Sequence, residues 1–402
     1  MTYRSKVAAV YLLGFFLDLI NMFIASVAFP AMAHDFNATP SALAWVSNGY
    51  IAGLTLVIPF STLLTRRIGP KRVILLSLFL FSAASVAAGL SATLESLIAW
   101  RVLQGVGGGL LIPVGQALTW QQFQPHERAR LSSAVMLVAL LAPACSPAIG
   151  GLLVQTLSWR WVFFATLPVA ILTFALACLW LKNEMPSMKA TRLLNLPLLA
   201  DPLLRFSMLV YVCVPGMFIG VNVTGMFYLQ REANMSPAAT GMLMLPWSVA
   251  SFMAIAATGR YFNRIGPRPL VVTGCLLQAL GILLLLNVTP ANAALLPTVA
   301  FVLMGAGGSL CSSTAQSSAF LSTRREDMSD ASALWNLNRQ LSFFAGALLL
   351  AQALNLAQIW LPSLAAWHGM FIFAAGITLL PVLYVFRLNN MQVLTQLRQE
   401  NA

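Results

Sequence analysis

Twelve apolar runs of about 18–25 residues divide the chain, each long enough to cross the hydrocarbon core of a bilayer as a helix. Their limits fall near 8–30, 46–64, 73–91, 96–119, 132–154, 161–181, 206–229, 239–259, 270–288, 296–320, 331–356 and 367–387. In lipid every backbone polar group must be satisfied within the chain, so a sequence of this pattern folds as a bundle of membrane helices. The 8% of charged residues, against about 25% in a soluble chain, fits that class and no other. An all-α polytopic membrane protein of twelve helices is expected.

Charge placement gives an orientation. Of 23 Lys and Arg, Arg101 and Arg339 fall within spans, Arg160 and Arg231 fall on one side, and the remaining 19 on the other. Basic loops are held on the cytoplasmic side, which predicts cytoplasmic N- and C-termini. The same distribution, in short loops between spans, turns a net charge of +12 away from a nucleic-acid partner. The first run lacks a small-residue cleavage site and reads as a retained span.

The spans fall six and six about the longest non-spanning stretch. This predicts an N-terminal half over 1–181, a central cytoplasmic loop over 182–205 and a C-terminal half over 206–402. An internal repeat supports the division. The stretch TLLTRRIGPKR (Thr62 to Arg72) reappears as GRYFNRIGPRP (Gly259 to Pro269), 197 positions later, and RVLQGVGGG (Arg101 to Gly109) as FVLMGAGGS (Phe301 to Ser309), 200 positions later. Gln116 and Gln316, Glu127 and Asp327, and Ser132 and Ser332 keep the second offset.

Inside the first span stands Asp18, with Asn21 one turn on. A carboxylate at the centre of a membrane helix costs about 2.5–3.5 kcal/mol, so it reads as functional. The other ten acidic residues fit membrane surfaces, loops or tails, which leaves Asp18 alone at membrane depth. Cys145, Cys178, Cys213, Cys275 and Cys311 lie in apolar runs as small packing residues, and the dispersed His34, His126 and His368 make no metal site. No Walker-type phosphate loop is present, and no nucleophile, base and orienting acid assemble at membrane depth, so neither ATP coupling nor an enzyme is expected.

With these motifs in view the chain resembles the major facilitator superfamily, and within it the drug–proton antiporters. Arg67, Gly69 and Lys71 match the loop pattern G-x-x-x-D-R-x-G-R-[RK], while Thr62 stands for its first glycine and Arg66 for its aspartate. RVLQGVGGG is similar to R-x-x-Q-G-x-G, and SPAIGG (Ser146 to Gly151) to the antiporter motif G-P-x-x-G-G. WRWVFFATLP (Trp159 to Pro168) and WVSNGY (Trp45 to Tyr50) resemble the openings of the sixth and second spans of exporters. Aligned on Ala28 and Pro30 with D-x-T-x-x-N-x-A-x-P, Asn21 takes the aspartate position, and Asp18 lies one turn earlier on a similar face.

The resemblance implies two pseudo-symmetric six-helix halves with a substrate path near the bilayer midplane. It implies an inner-membrane, proton-coupled efflux transporter of bacterial type, exporting small amphipathic compounds such as drugs by alternating access. It further implies a proton gradient as the energy source, no cofactor, and a small-molecule substrate and the lipid bilayer as partners. A monomer is expected. Asp18 and Arg101 are placed as the coupling pair: opposite charge favours the ionised carboxylate and desolvation the neutral one, so a proton moves as the surroundings change. Asn21, Ser26, Gln104, Gln116, Phe218, Asn222, Met226, Trp335 and Asn338 are candidates for the substrate cavity. Arg66, Arg67, Gly69, Lys71, Pro143, Pro147, Gly150 and Gly151 are candidates for conformational change. The alternatives are an exporter of an anionic metabolite or siderophore, drawing on Arg101 and Arg339, and a membrane sensor or scaffold on the same fold.

Overall fold

The computed structural model describes residues 2–184 and 193–399, so residues 185–192 of the expected central loop lie outside the described residues. Among the described residues twelve helices are long and apolar enough to cross a membrane, numbered here α1 Tyr3–Val27, α2 Ala42–Ile68, α3 Pro70–Gly89, α4 Leu94–Trp120, α5 Pro125–Thr156, α6 Trp161–Trp180, α7 Pro202–Glu232, α8 Ala239–Ile265, α9 Pro267–Asn287, α10 Leu296–Ser318, α11 Arg325–Trp360 and α12 Ser363–Val385. Their number and order are those of the twelve apolar runs. No strand occurs among the described residues.

Side chains cap the helices where the sequence turns polar. Thr39 Oγ1 accepts from Ala42 N ahead of α2, Thr93 and Ser96 form a capping box at α4, Asp201 Oδ1 accepts from Leu203 N at α7, and Ser236 Oγ accepts from Ala239 N at α8. The repeated I-G-P of the two loop motifs has a local cause. Gly69 and Gly266 take φ of 87° and 77°, a region that favours glycine, and each is followed by a proline at the first position of the next helix.

The chain forms two compact units. The first comprises Met1–Phe123, Val138–Leu196 and Arg324–Leu337; the second comprises Gln124–Leu137, Pro197–Thr323 and Asn338–Ala402. Each unit thus takes in the opening stretch of a helix, α11 for the first and α5 for the second, whose remainder belongs to the other. In the first unit α4 packs against α1, α2 and α3, and in the second α10 packs against α7, α8 and α9, so the packing repeats with the sequence.

Glycines set the closest of these approaches. A methyl group on Gly105 would collide with the Tyr50 carbonyl oxygen, and one on Gly305 with that of Trp247. The two glycines are 200 positions apart and make the same contact in the two units. Gly105→Val is expected to force α2 from α4 and destabilise the protein by about 1–3 kcal/mol. Thermal unfolding in detergent checks this, and an unchanged midpoint would contradict the packing.

In α7, Val212–Gly216 winds as one turn of π-helix around Pro215. Proline removes a backbone donor and displaces the ladder. Gln278 Nε2 of α9 donates to the Val214 carbonyl of this turn at 2.8 Å.

Candidate functional site

The first unit holds a polar cluster in an apolar wall. Asp18 on α1 is 1% exposed, and the hydroxyl of Tyr50 on α2, also fully buried, donates to Asp18 Oδ1. Gly108 of α4 lies against the pair. A methyl group there would stand 2.5 Å from Asp18 Oδ1 and 2.8 Å from the Tyr50 hydroxyl oxygen, so the glycine makes room for both.

Arg101 on α4 lies with its guanidinium 4.5 Å from the Tyr50 ring centroid and 5.6 Å from that of Phe163. Its N–H groups go to neutral acceptors: Nε to the Val46 carbonyl at 2.9 Å, Nη2 to the Asn21 carbonyl at 3.0 Å, and Nη1 to Gln104 Oε1 at 2.7 Å and Asn21 Oδ1 at 3.5 Å. Gln104 Nε2 in turn donates to Asn21 Oδ1 at 2.9 Å and Ser85 Oγ at 2.5 Å. This network clamps the cation in one place. Tyr50 is the link between the two expected partners, bonding Asp18 through its hydroxyl and Arg101 through its ring.

The other candidate residues divide between the two units. Asn21 and Gln104, expected on a substrate surface, are fully buried around Arg101. Ser26 is exposed and donates to Phe23 O of its own helix. Gln116 Oε1 accepts from Ser332 Oγ at 2.9 Å and Asn336 Nδ2 at 2.5 Å, all in the first unit, where Trp335 is also buried. In the second unit Asn338 Nδ2 donates to Met208 O, Met226 packs on the apolar core, and Phe218 stacks on Trp247, with Asn222 one turn beyond it. Arg339, also in that unit, is 9% exposed. Gly150 touches Ile24 and Val27, while Gly151 has open space before it. Helix α5 runs unbroken past Pro143 and Pro147.

The two departures from the loop motif have structural partners. Arg66 Nη2 bonds Asp330 Oδ2 at 2.5 Å, Asn195 Nδ2 donates to the same oxygen at 3.3 Å, and Thr62 Oγ1 donates to the Ser329 carbonyl at 3.3 Å. Both replaced positions therefore fasten the opening of α11 within the first unit. Asp330, at the opening of α11, is itself buried, 2% exposed. Nothing in its sequence spacing marks it, because its partner lies 264 positions away. Of the other motif residues, Lys71 Nζ donates to the Cys178 carbonyl and Arg67 is exposed.

Loss of Arg66 would leave a buried carboxylate short of its cation. Arg66→Ala is expected to cost about 3–5 kcal/mol, and the exchange Arg66→Asp with Asp330→Arg to recover part of it. A double-mutant cycle on thermal stability checks this; additive losses without recovery would contradict the pairing.

The W-R-W stretch also finds its use in the first unit. Trp159 Nε1 donates to Asp35 Oδ2 at 2.7 Å, and Arg160 Nη1 donates to the carbonyls of Gly89 and Ser91. The indole N–H and then His34 hold the Asp35 carboxyl below its usual 3.8, so this tie is present above the unfolded value and is lost as pH falls through the folded one.

The sequence profile of the Major Facilitator Superfamily matches residues 11–347. Among curated relatives, a multidrug resistance protein B homolog of Mycobacterium tuberculosis is 26% identical over 69% of this chain and 62% of its own length. The putative multidrug resistance protein MdtD of Cronobacter sakazakii is 36% identical over 42% of this chain and 36% of its own. The chain spans about three fifths or less of the first such relatives. Among solved structures, the proton:xylose symporter XylE superposes with a TM-score of 0.77 over 99% of both chains at 14% identity. The human organic anion transporter MFSD10 superposes at 0.72 over 96% of this chain and 100% of its own, at 17% identity. With profile, helix count and fold in agreement, the chain belongs to the Major Facilitator Superfamily and is a multi-pass membrane protein.

Proposed function

We propose that the protein exports small amphipathic compounds in exchange for protons, by alternating access, across a bacterial inner membrane with both termini in the cytoplasm. The observation that carries this reading is the Asp18 carboxylate, buried in the first unit with a phenol on one oxygen and a clamped guanidinium behind that phenol. Such a carboxylate exchanges a proton when its surroundings change between wet and dry, while Arg101, fixed by neutral acceptors, supplies a constant field.

The names of the curated relatives support multidrug export. The commitment of Arg101 to Val46, Asn21 and Gln104 speaks against its use as a contact for an anionic solute. Reconstitution in proteoliposomes with an internal pH dye tests the reading. Tetraphenylphosphonium and ethidium are expected to move protons against their own direction. Proton movement with anionic solutes such as salicylate, and none with the cations, would overturn it.

A further inference from the structure

The internal repeat makes the second unit a control for the first, and the two differ where the polar cluster lies. Offsets of 200 for α4 and of 197 for α2 carry Tyr50 to Trp247, Arg101 to Phe301 and Gln104 to Met304, and Phe218 of α7 packs on Trp247 where Asp18 of α1 meets Tyr50. The correspondence is structural as well, since Gly105 abuts the Tyr50 carbonyl and Gly305 that of Trp247. Every charged or hydrogen-bonding member of the first set is thus an aromatic ring or a thioether in the second. Phe218 and Trp247 stack with centroids 5.1 Å apart and planes 12° from parallel.

Two polar atoms break this apolar surface. Trp247 Nε1 and Asn222 Oδ1, the latter one turn along α7 from Phe218, are both shielded and without a hydrogen-bond partner among the described residues. A buried indole N–H without an acceptor costs about 1–3 kcal/mol, which a phenylalanine at the same place would avoid. Packing accounts for the rings but not for the indole nitrogen or the amide.

We propose that Phe218, Asn222 and Trp247 form a subsite for the planar aromatic part of the exported solute. The ring lies against the two aromatic side chains, an acceptor on it takes the Trp247 N–H, and an N–H on it donates to Asn222 Oδ1. The class is an aromatic heterocycle bearing both a carbonyl or ring-nitrogen acceptor and an amine. The two repeats then divide the work, with the first handling the proton and the second the ring. The proposal rests on reading the chain as an exporter of amphipathic compounds.

The test is equilibrium binding to the purified full chain in detergent, without any gradient. The probes are norfloxacin, a planar quinolone with a keto oxygen and a secondary amine, and decyltrimethylammonium, which has no ring. Trp247→Leu is expected to weaken norfloxacin about tenfold or more, and Trp247→Phe, which keeps a ring and removes only the N–H, about threefold. Decyltrimethylammonium is expected to stay within about twofold in both variants. Norfloxacin binding unchanged in both variants, equal losses for both probes, or no norfloxacin binding by the wild type would each overturn the subsite. Because binding is read without proton flux, Asp18 failing as a proton carrier would leave this result standing, and the converse also holds.

Discussion

Asp18→Asn is expected to abolish export driven by a pH gradient, lowering its initial rate about a hundredfold, or about 2.7 kcal/mol, while exchange of labelled for unlabelled solute without a gradient continues. The substitution is nearly isosteric, and an asparagine oxygen still accepts the Tyr50 hydroxyl, so the surrounding packing has no cause to collapse. What is lost is the ability to change charge. Counterflow with no net driving force needs only the conformational cycle and the solute site, whereas uphill movement needs the proton. Gradient-driven export surviving in Asp18→Asn would remove Asp18 from the mechanism. Loss of both modes together would assign it to folding or solute binding instead.

Removing the guanidinium is expected to act on stability first. In Arg101→Leu the carbonyls of Val46 and Asn21 and the side-chain oxygens of Asn21 and Gln104 lose a buried donor together. Asn21 Oδ1 keeps Gln104 Nε2, but breaking a buried charged network costs about 3–5 kcal/mol in all. Arg101→Lys keeps the charge but replaces a planar fork of five donors with three on one compact nitrogen, which matches the spread of acceptors on α1, α2 and α4 poorly. It should recover little of the loss. The expected order of unfolding midpoints in detergent is wild type, then Lys, then Leu. A Leu variant as stable as the wild type would show the clamp to be incidental.

Most of the architecture was legible in the sequence because lipid leaves a chain few choices. Apolar runs of spanning length gave the twelve helices, and the repeated I-G-P gave two turns whose positive φ demands glycine. The polar cluster was legible in part. Asp18 stood out as a carboxylate in an apolar run, and Arg101 as a cation beside glycines. Tyr50 did not, since a tyrosine near the start of a membrane helix is equally suited to the interface, and only the W-x-x-x-x-Y spacing of Trp45 and Tyr50 hinted at more.

Contacts across long stretches of chain were hidden for a different reason. Arg66 looked like a broken motif until Asp330, 264 residues on, proved to be its partner. Asn21 and Gln104 illustrate the converse limit. Amides in membrane helices suit both wet cavities and interior networks, and in this structure both side chains accept from a buried guanidinium. Trp247 was invisible until its pseudo-equivalence with Tyr50 was read from the paired glycine contacts.

The most direct measurement of the central claim is the proton itself. Purified protein in weakly buffered detergent is mixed with tetraphenylphosphonium, and the change in pH is followed with an indicator dye. The account predicts release of about one proton per solute bound in the wild type, a pH dependence shifted in Tyr50→Phe, which loses the hydroxyl on Asp18, and no release in Asp18→Asn although the solute still binds. Equal proton release from wild type and Asp18→Asn would contradict it.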